Sequence, residues 1–199
     1  MYKLLILISL FWFSTAIAQE PSHTVWNNLL SKHVTKEGWV NYKGFQKDSI
    51  KLKAYIKTLA TDTPTDQWTE DATKAYWMNV YNALTIDLIL KNLPLSSIKD
   101  IKNPWGKARW VLNGKKYSLN DIEHRILRKM GDPRIHFGIN CASFSCPKLP
   151  KKAFTATNVN TYLEALLCDV ELVCVDHSGG TTEMMELWNK EWRKYFYLD

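Results

Sequence analysis

Between residues 118 and 150 the sequence gathers Glu123, His124, His136, Cys141 and Cys146, side chains that can serve as acid, base and nucleophile. A cysteine attacks carbon as its thiolate, so it needs an imidazole or a helix N-terminus nearby to lower its pKa. Cys141 ends an alternating stretch, Arg134 to Asn140, and precedes the small and hydroxyl residues Ala142, Ser143 and Ser145. Backbone N–H groups in such a turn can point toward a developing oxyanion. His124 is the candidate base, which a third group would orient. Adjacent α-helical residues diverge by roughly 100°, so Glu123 cannot share His124's direction. The orienting group is then Asn79, Asn82 or Asp132, with Glu123 an acid or a structural anchor. The candidate catalytic residues are Cys141, His124 and Glu123; the candidate substrate-binding residues are Asn79, Asn82, His136 and Ser145.

Each of these side chains also has a purely structural use. His124 can be a hydrogen-bonding residue on a helix rim, and Glu123 a buried ion-pair partner of Arg128 or Arg134. Cys141 can be bonded to Cys146, the ordinary fate of thiols in an oxidising compartment. His124, His136, Cys141 and Cys146 together have the ligand types of a zinc tetrahedron, although C-x4-C is not the usual short ligand spacing. No metal, nucleotide or flavin cofactor is expected.

The elements that must position these groups are mostly helical. Helices are expected over residues 21–35 and 48–59, with a brief strand at Trp39-Val40-Asn41-Tyr42 between them and a Thr/Pro/Asp-rich linker, Thr61 to Gln67, after them. Residues 70–92 make the strongest helix, capped by Thr69 and ended by Asn92 and Pro94. Its apolar residues cover nearly every direction, the pattern of a central buried helix. Asn79 and Asn82 on it must be paired; they hold neighbouring loops, or one of them faces a site. Asn113-Gly114 between two short runs predicts a hairpin. Ser118 caps a helix reaching Met130, with Asp121 as its reciprocal acid and Gly131 as its C′ residue. Glu123 falls inside that helix's apolar stripe, and His124 borders it. Arg134–Asn140 alternates like a strand, and Thr157 or Asn158 opens a helix to about Leu167. Cys168 and Cys174 flank Val170–Val173 and can pair, and Met184 to Phe196 forms an aromatic-rich terminal helix. The fold class expected is α+β: a helix-rich single domain with a small antiparallel sheet, of the papain or transglutaminase-like type.

Three blocks, Ala75-Tyr76-Trp77-Met78-Asn79-Val80-Tyr81-Asn82-Ala83-Leu84-Thr85, Leu119-Asn120-Asp121-Ile122-Glu123-His124-Arg125-Ile126-Leu127-Arg128, and Asp132-Pro133-Arg134-Ile135-His136-Phe137 through Cys141-Ala142-Ser143-Phe144-Ser145-Cys146-Pro147, resemble the family of domain of unknown function 547. The likeness covers about residues 70–165. The family's motif is similar to C-[GA]-x-x-S-[CS]-P, which keeps the first cysteine and admits serine at the second. Its Ile-Glu-His element is fixed, whereas the position of His136 varies. The resemblance therefore points to Cys141, His124 and Glu123.

Composition narrows the remaining choices. The chain has 199 residues, 46% hydrophobic and 23% charged, with 26 Lys and Arg against 20 Asp and Glu, a net charge of +6. That is enough chain for one domain with a real core and excludes collagen, coiled coil and multi-span membrane classes. The basic residues are dispersed and carry no nucleic-acid readout motif, so no nucleic-acid partner is expected. Lys3, the apolar run Leu4 to Phe13 and Ala16-Ile17-Ala18 read as a signal peptide over residues 1–18, cleaved near Ala18. The run is too short for an integral span, which takes roughly 20 apolar residues. A single domain over 19–199, periplasmic or secreted, follows. The leading function is a thiol-dependent hydrolase or acyl transferase acting on a peptide or other amide-containing substrate. The alternatives are a non-enzymatic periplasmic binding module with structural disulfides and a Cys/His zinc protein.

Overall fold

Helix α4 (Glu70–Asn92) forms the axis on which the molecule is built, as its all-round apolar sequence requires. In the computed structural model, which describes residues 20–143 and 146–168, α4 is buried almost continuously from Ala72 to Ile89. Thr69 Oγ1 accepts from the Ala72 N–H (3.1 Å), and Glu70 and Asp71 in the first turn suit the positive end of the helix dipole. Around it pack α2 (Tyr42–Lys47), α3 (Ser49–Thr61), α6 (Val159–Cys168) and the segment 118–130, with α1 (Thr24–His33) leaning on α2 and α3. The fold is helix-rich α+β: among the described residues the sheet is a single antiparallel hairpin, β1 (Trp110–Leu112) and β2 (Lys115–Tyr117), in register Trp110↔Tyr117. Asn113 (φ 45°) and Gly114 (φ 77°) make the tight turn expected of them, since both positions need positive φ. No helix among the described residues is long and apolar enough to cross a membrane. The signal peptide expected at 1–18, the expected pairing of Cys168 with Cys174, the helix expected at 184–196 and Ser145 fall on residues outside the described ones.

Two expected strands are not strands. Val40 makes only an isolated bridge with Val34, Trp39 is 69% exposed, and Tyr42 already opens α2. Asn41 decides this locally, because its side chain accepts from the Gly44 N–H (2.9 Å) and starts the helix. The alternating stretch 134–140 begins instead as a helical turn, α5 (Ile135–Gly138), and becomes extended only at Ile139. Asp132 Oδ1 accepts from the Arg134 N–H (3.1 Å), and three successive bonds, Ile135 to Asp132, His136 to Pro133 and Phe137 to Arg134, tighten the chain after Pro133. Burial of Ile135, Phe137, Gly138 and Ile139 shows why the alternation misleads: a single turn followed by extended chain also puts these residues inside. At Gly138 a Cβ would collide with the Met78 methyl of α4, so the bare backbone lets α5 approach the central helix.

The α1–α3 contact has a pH-sensitive point. His23 Nδ1 lies 2.7 Å from the Tyr55 hydroxyl, and burial pushes the imidazole pKa down to about 4. Below about pH 6.5 the unfolded chain takes up a proton that folded His23 refuses, so this contribution is complete above that pH and declines as pH falls toward 4. Unfolding in urea across this window is expected to show a loss of about 2–3 kcal/mol from this residue. His23→Gln should flatten that slope, and an unchanged slope would assign it elsewhere.

Candidate functional site

Two clusters meet at consecutive residues of α4, Tyr81 and Asn82. The first comes from segment 118–130. Ser118 and Asp121 cap each other as expected: the Asp121 N–H donates to Ser118 Oγ (3.0 Å), while Asp121 Oδ2 accepts from the Ser118 N–H (2.9 Å). Past the cap the chain winds as a wider π-helical turn, Asp121–Ile126, tightens to a 3₁₀ turn at Leu127–Met130, and ends on Gly131 with φ 72°. A π turn inserts a residue into the helical period and re-aims side chains. Glu123 faces α4: Oε2 accepts from the Tyr81 hydroxyl (3.2 Å) and Oε1 from Arg128 Nη2 (2.9 Å). The ion-pair partner is thus Arg128; Arg134 instead engages Asp132 and Glu164. His124 is exposed, and among the described residues it makes no hydrogen bond to Asn79, Asn82, Asp132 or Cys141.

His136, on α5, belongs to the same electrostatic neighbourhood. Burial pushes its pKa down, the Glu123 carboxylate pulls it up and Arg128 pushes it down again, with a net value below that of an ordinary histidine. The ring is therefore mostly neutral at pH 7. Tyr81, buried beside the Glu123 charge, has its pKa raised well above 10 and remains a hydrogen-bond donor.

The second cluster is the turn that carries Cys141. Asn82 clips the chain on both sides of Ile139: its Nδ2 donates to the Gly138 carbonyl (2.8 Å), and its Oδ1 accepts from the Asn140 N–H (2.9 Å). Asn140 then spans the turn, donating to the Pro147 carbonyl (2.6 Å) and accepting from the Ala142 N–H (2.9 Å). Trp105 Nε1 donates to the Cys141 carbonyl (3.0 Å). Inside these restraints Ala142 sits at φ 57°, a left-handed conformation that a residue with a Cβ seldom adopts. Cys141 and Cys146 are joined by a disulfide, with Cα atoms 6.0 Å apart, and the Cys141 N–H donates to Cys146 Sγ (3.3 Å).

Asn79 and Asn82 both hold loops. Asn79, 0% exposed, donates to the Phe154 carbonyl (2.7 Å) and accepts from the Phe154 N–H (3.0 Å), so its amide is spent on backbone. The zinc tetrahedron is not assembled: two of its four ligands are bonded to each other, and among the described residues no three His, Cys, Asp or Glu side chains converge. Sequence reasoning passed over Asn140, Trp105 and Tyr81. Asn140 had a usable signal, because asparagine beside a turn commonly bonds backbone two residues on. For Trp105 and Tyr81 there was none.

A family model described as "Protein of unknown function, DUF547" matches residues 65–168. No curated protein and no solved structure matches the chain.

Proposed function

The chain belongs to the DUF547 family, whose description assigns no activity, and we propose from its own site that the reduced protein is an exported thiol-dependent hydrolase or acyl transferase acting on an amide or peptide bond. The observation that carries this reading is the over-determined turn at Cys141. Asn82, Asn140 and Trp105 hold it, and it contains the left-handed Ala142. Strained backbone persists where surrounding bonds enforce it, and such places cluster at reactive centres. Export rests on the charged, apolar and small-residue order of residues 3–18.

In this reading the Cys141 thiolate adds to the acyl carbon, the C–N bond breaks, and the base returns its proton to the departing amine. Water or an acceptor amine then resolves the thioester. His136 is the better base, because it lies on the short helix leading into Cys141, is kept neutral by burial, and has Glu123 nearby to stabilise the imidazolium that forms. His124, exposed on the outer side of its turn, has no such partner among the described residues. The Cys141–Cys146 bond favours a second reading, a binding module in which this disulfide is structural.

Alkylation separates the two. After native reduction, iodoacetamide at neutral pH should label Cys141 about threefold faster than a free model thiol, since the roughly 15-fold gain in thiolate when a thiol pKa falls to about 7 is partly offset by lower nucleophilicity. His136→Gln should return the rate to that of the model thiol, while His124→Gln leaves it unchanged. Labelling no faster than the model thiol would sink the enzyme reading and leave the module.

A further inference from the structure

The Cys141–Cys146 pair is built asymmetrically. Cys146 Sγ accepts the Cys141 backbone N–H (3.3 Å), whereas no described residue donates a hydrogen bond to Cys141 Sγ. A hydrogen bond to sulfur stabilises the thiolate over the thiol, and in disulfide exchange the sulfur with the more stable thiolate leaves faster. The donor is also fixed in place independently of the S–S bond. The peptide group that carries this donor, between Asn140 and Cys141, is flanked by two held ones: Asn82 holds the Asn140 N–H before it, and Trp105 and Asn140 hold the Cys141 carbonyl and the Ala142 N–H after it. The N–H therefore remains aimed at Cys146 when the sulfurs separate. Both cysteines are half-buried rather than enclosed, as attack by an external thiol requires.

We propose that Cys141–Cys146 is an exchanging disulfide that reacts with small external thiols, with Cys141 the sulfur attacked and Cys146 the leaving thiolate. The attacking thiolate forms a mixed disulfide with Cys141 Sγ as the Cys141–Cys146 bond breaks, and its electron pair goes to Cys146 Sγ under the Cys141 N–H. A second thiolate then attacks the non-protein sulfur of the mixed disulfide, releasing the oxidised small disulfide and the Cys141 thiolate. Two external thiols lose two electrons and two protons in all, and the protein disulfide gains them to become a dithiol. This chemistry stands whether or not Cys141 acts on acyl groups. If it does, exchange is the step that uncovers it.

The test uses the unmodified chain and needs no acyl substrate. Folded protein is mixed with glutathione at neutral pH, quenched in acid, and its free thiols are blocked with N-ethylmaleimide before digestion. Fragmentation of the tryptic peptide Ile135–Lys148 should place glutathione on Cys141 and maleimide on Cys146, with the far-ultraviolet circular dichroism unchanged. Exchange should also outpace the reaction of the same thiol with oxidised glutathione. Glutathione on Cys146, a bond that survives in the folded protein, or reduction that occurs only with loss of the helical spectrum would each overturn the proposal. Positive exchange with slow alkylation of Cys141 would reject the hydrolase reading alone.

Discussion

Asp132→Ala is expected to cost the fold about 3–5 kcal/mol, read as a lowered urea midpoint with an unchanged slope. Lys74, on the central helix, is only 5% exposed, and its ammonium lies 2.9 Å from Asp132 Oδ2. Its other acid, Asp71, is 3.8 Å away and partly exposed to water. Removing Asp132 therefore leaves a buried cation with a screened partner, the costly way to break an ion pair. The same carboxylate accepts from Arg134 Nε (3.0 Å), Arg134 Nη2 (2.9 Å) and the Arg134 N–H (3.1 Å), so the turn that starts α5 loosens as well. Burial alone would raise the Asp132 pKa; the hydrogen bonds and charges of Arg134 and Lys74 outweigh it and leave the carboxyl below its ordinary value. Its contribution is thus complete above the unfolded-state pKa of about 4 and is lost as pH falls through the lower folded value. Adding Lys74→Met to Asp132→Ala should recover part of the loss, since a buried pair replaced by apolar surface is often tolerated. A double variant no more stable than Asp132→Ala would show that the unpaired lysine is not the cause.

Asn82→Ala should produce the second large effect, and it links stability to reactivity. The substitution strands the Gly138 carbonyl and the Asn140 N–H at the edge of the core, at about 1–3 kcal/mol for each group left unsatisfied. A total of about 2–6 kcal/mol follows. The variant should also lose the accelerated alkylation of Cys141 after reduction, because the turn no longer holds its geometry when Asn140 is released. Asn82→Asp keeps the acceptor for the Asn140 N–H but sets a carboxylate oxygen against the Gly138 carbonyl, so it should be no better than alanine. Thermal unfolding and alkylation rate on the same samples check both parts. Rapid labelling in a folded Asn82→Ala protein would show that Asn82 matters only for stability.

Much of the scaffold was legible because its signals are local. Thr69 and the run to Asn92, the Asn113-Gly114 turn, the Ser118–Asp121 cap and Gly131 each depend on contacts within a few residues. The position of Glu123 on a core-facing stripe was legible too, as was the need for a partner. The site was harder, for a reason visible in its bonds. Glu123 meets Tyr81 across 42 residues of chain, and Asn82 meets Asn140 across 58. Periodicity shows that such side chains are inside and not what lies opposite them.

What the amino-acid order determined by itself is a buried, capped central helix, one hairpin, a capped helical segment carrying Glu123 and His124, and a cysteine pair beside turn-forming residues. Tertiary structure alone decided the rest. The stretch before Cys141 became a helical turn because Asp132 caps it and Gly138 lies against Met78. The π turn put Glu123 on Tyr81 and Arg128 and left His124 in solvent, so the histidine that senses the carboxylate is His136. The disulfide closed between Cys141 and Cys146. Capping and turn preferences act through covalent neighbours and can be read along the chain, whereas the choice among several possible partners for a buried charge or thiol is made by which groups packing brings within hydrogen-bond reach.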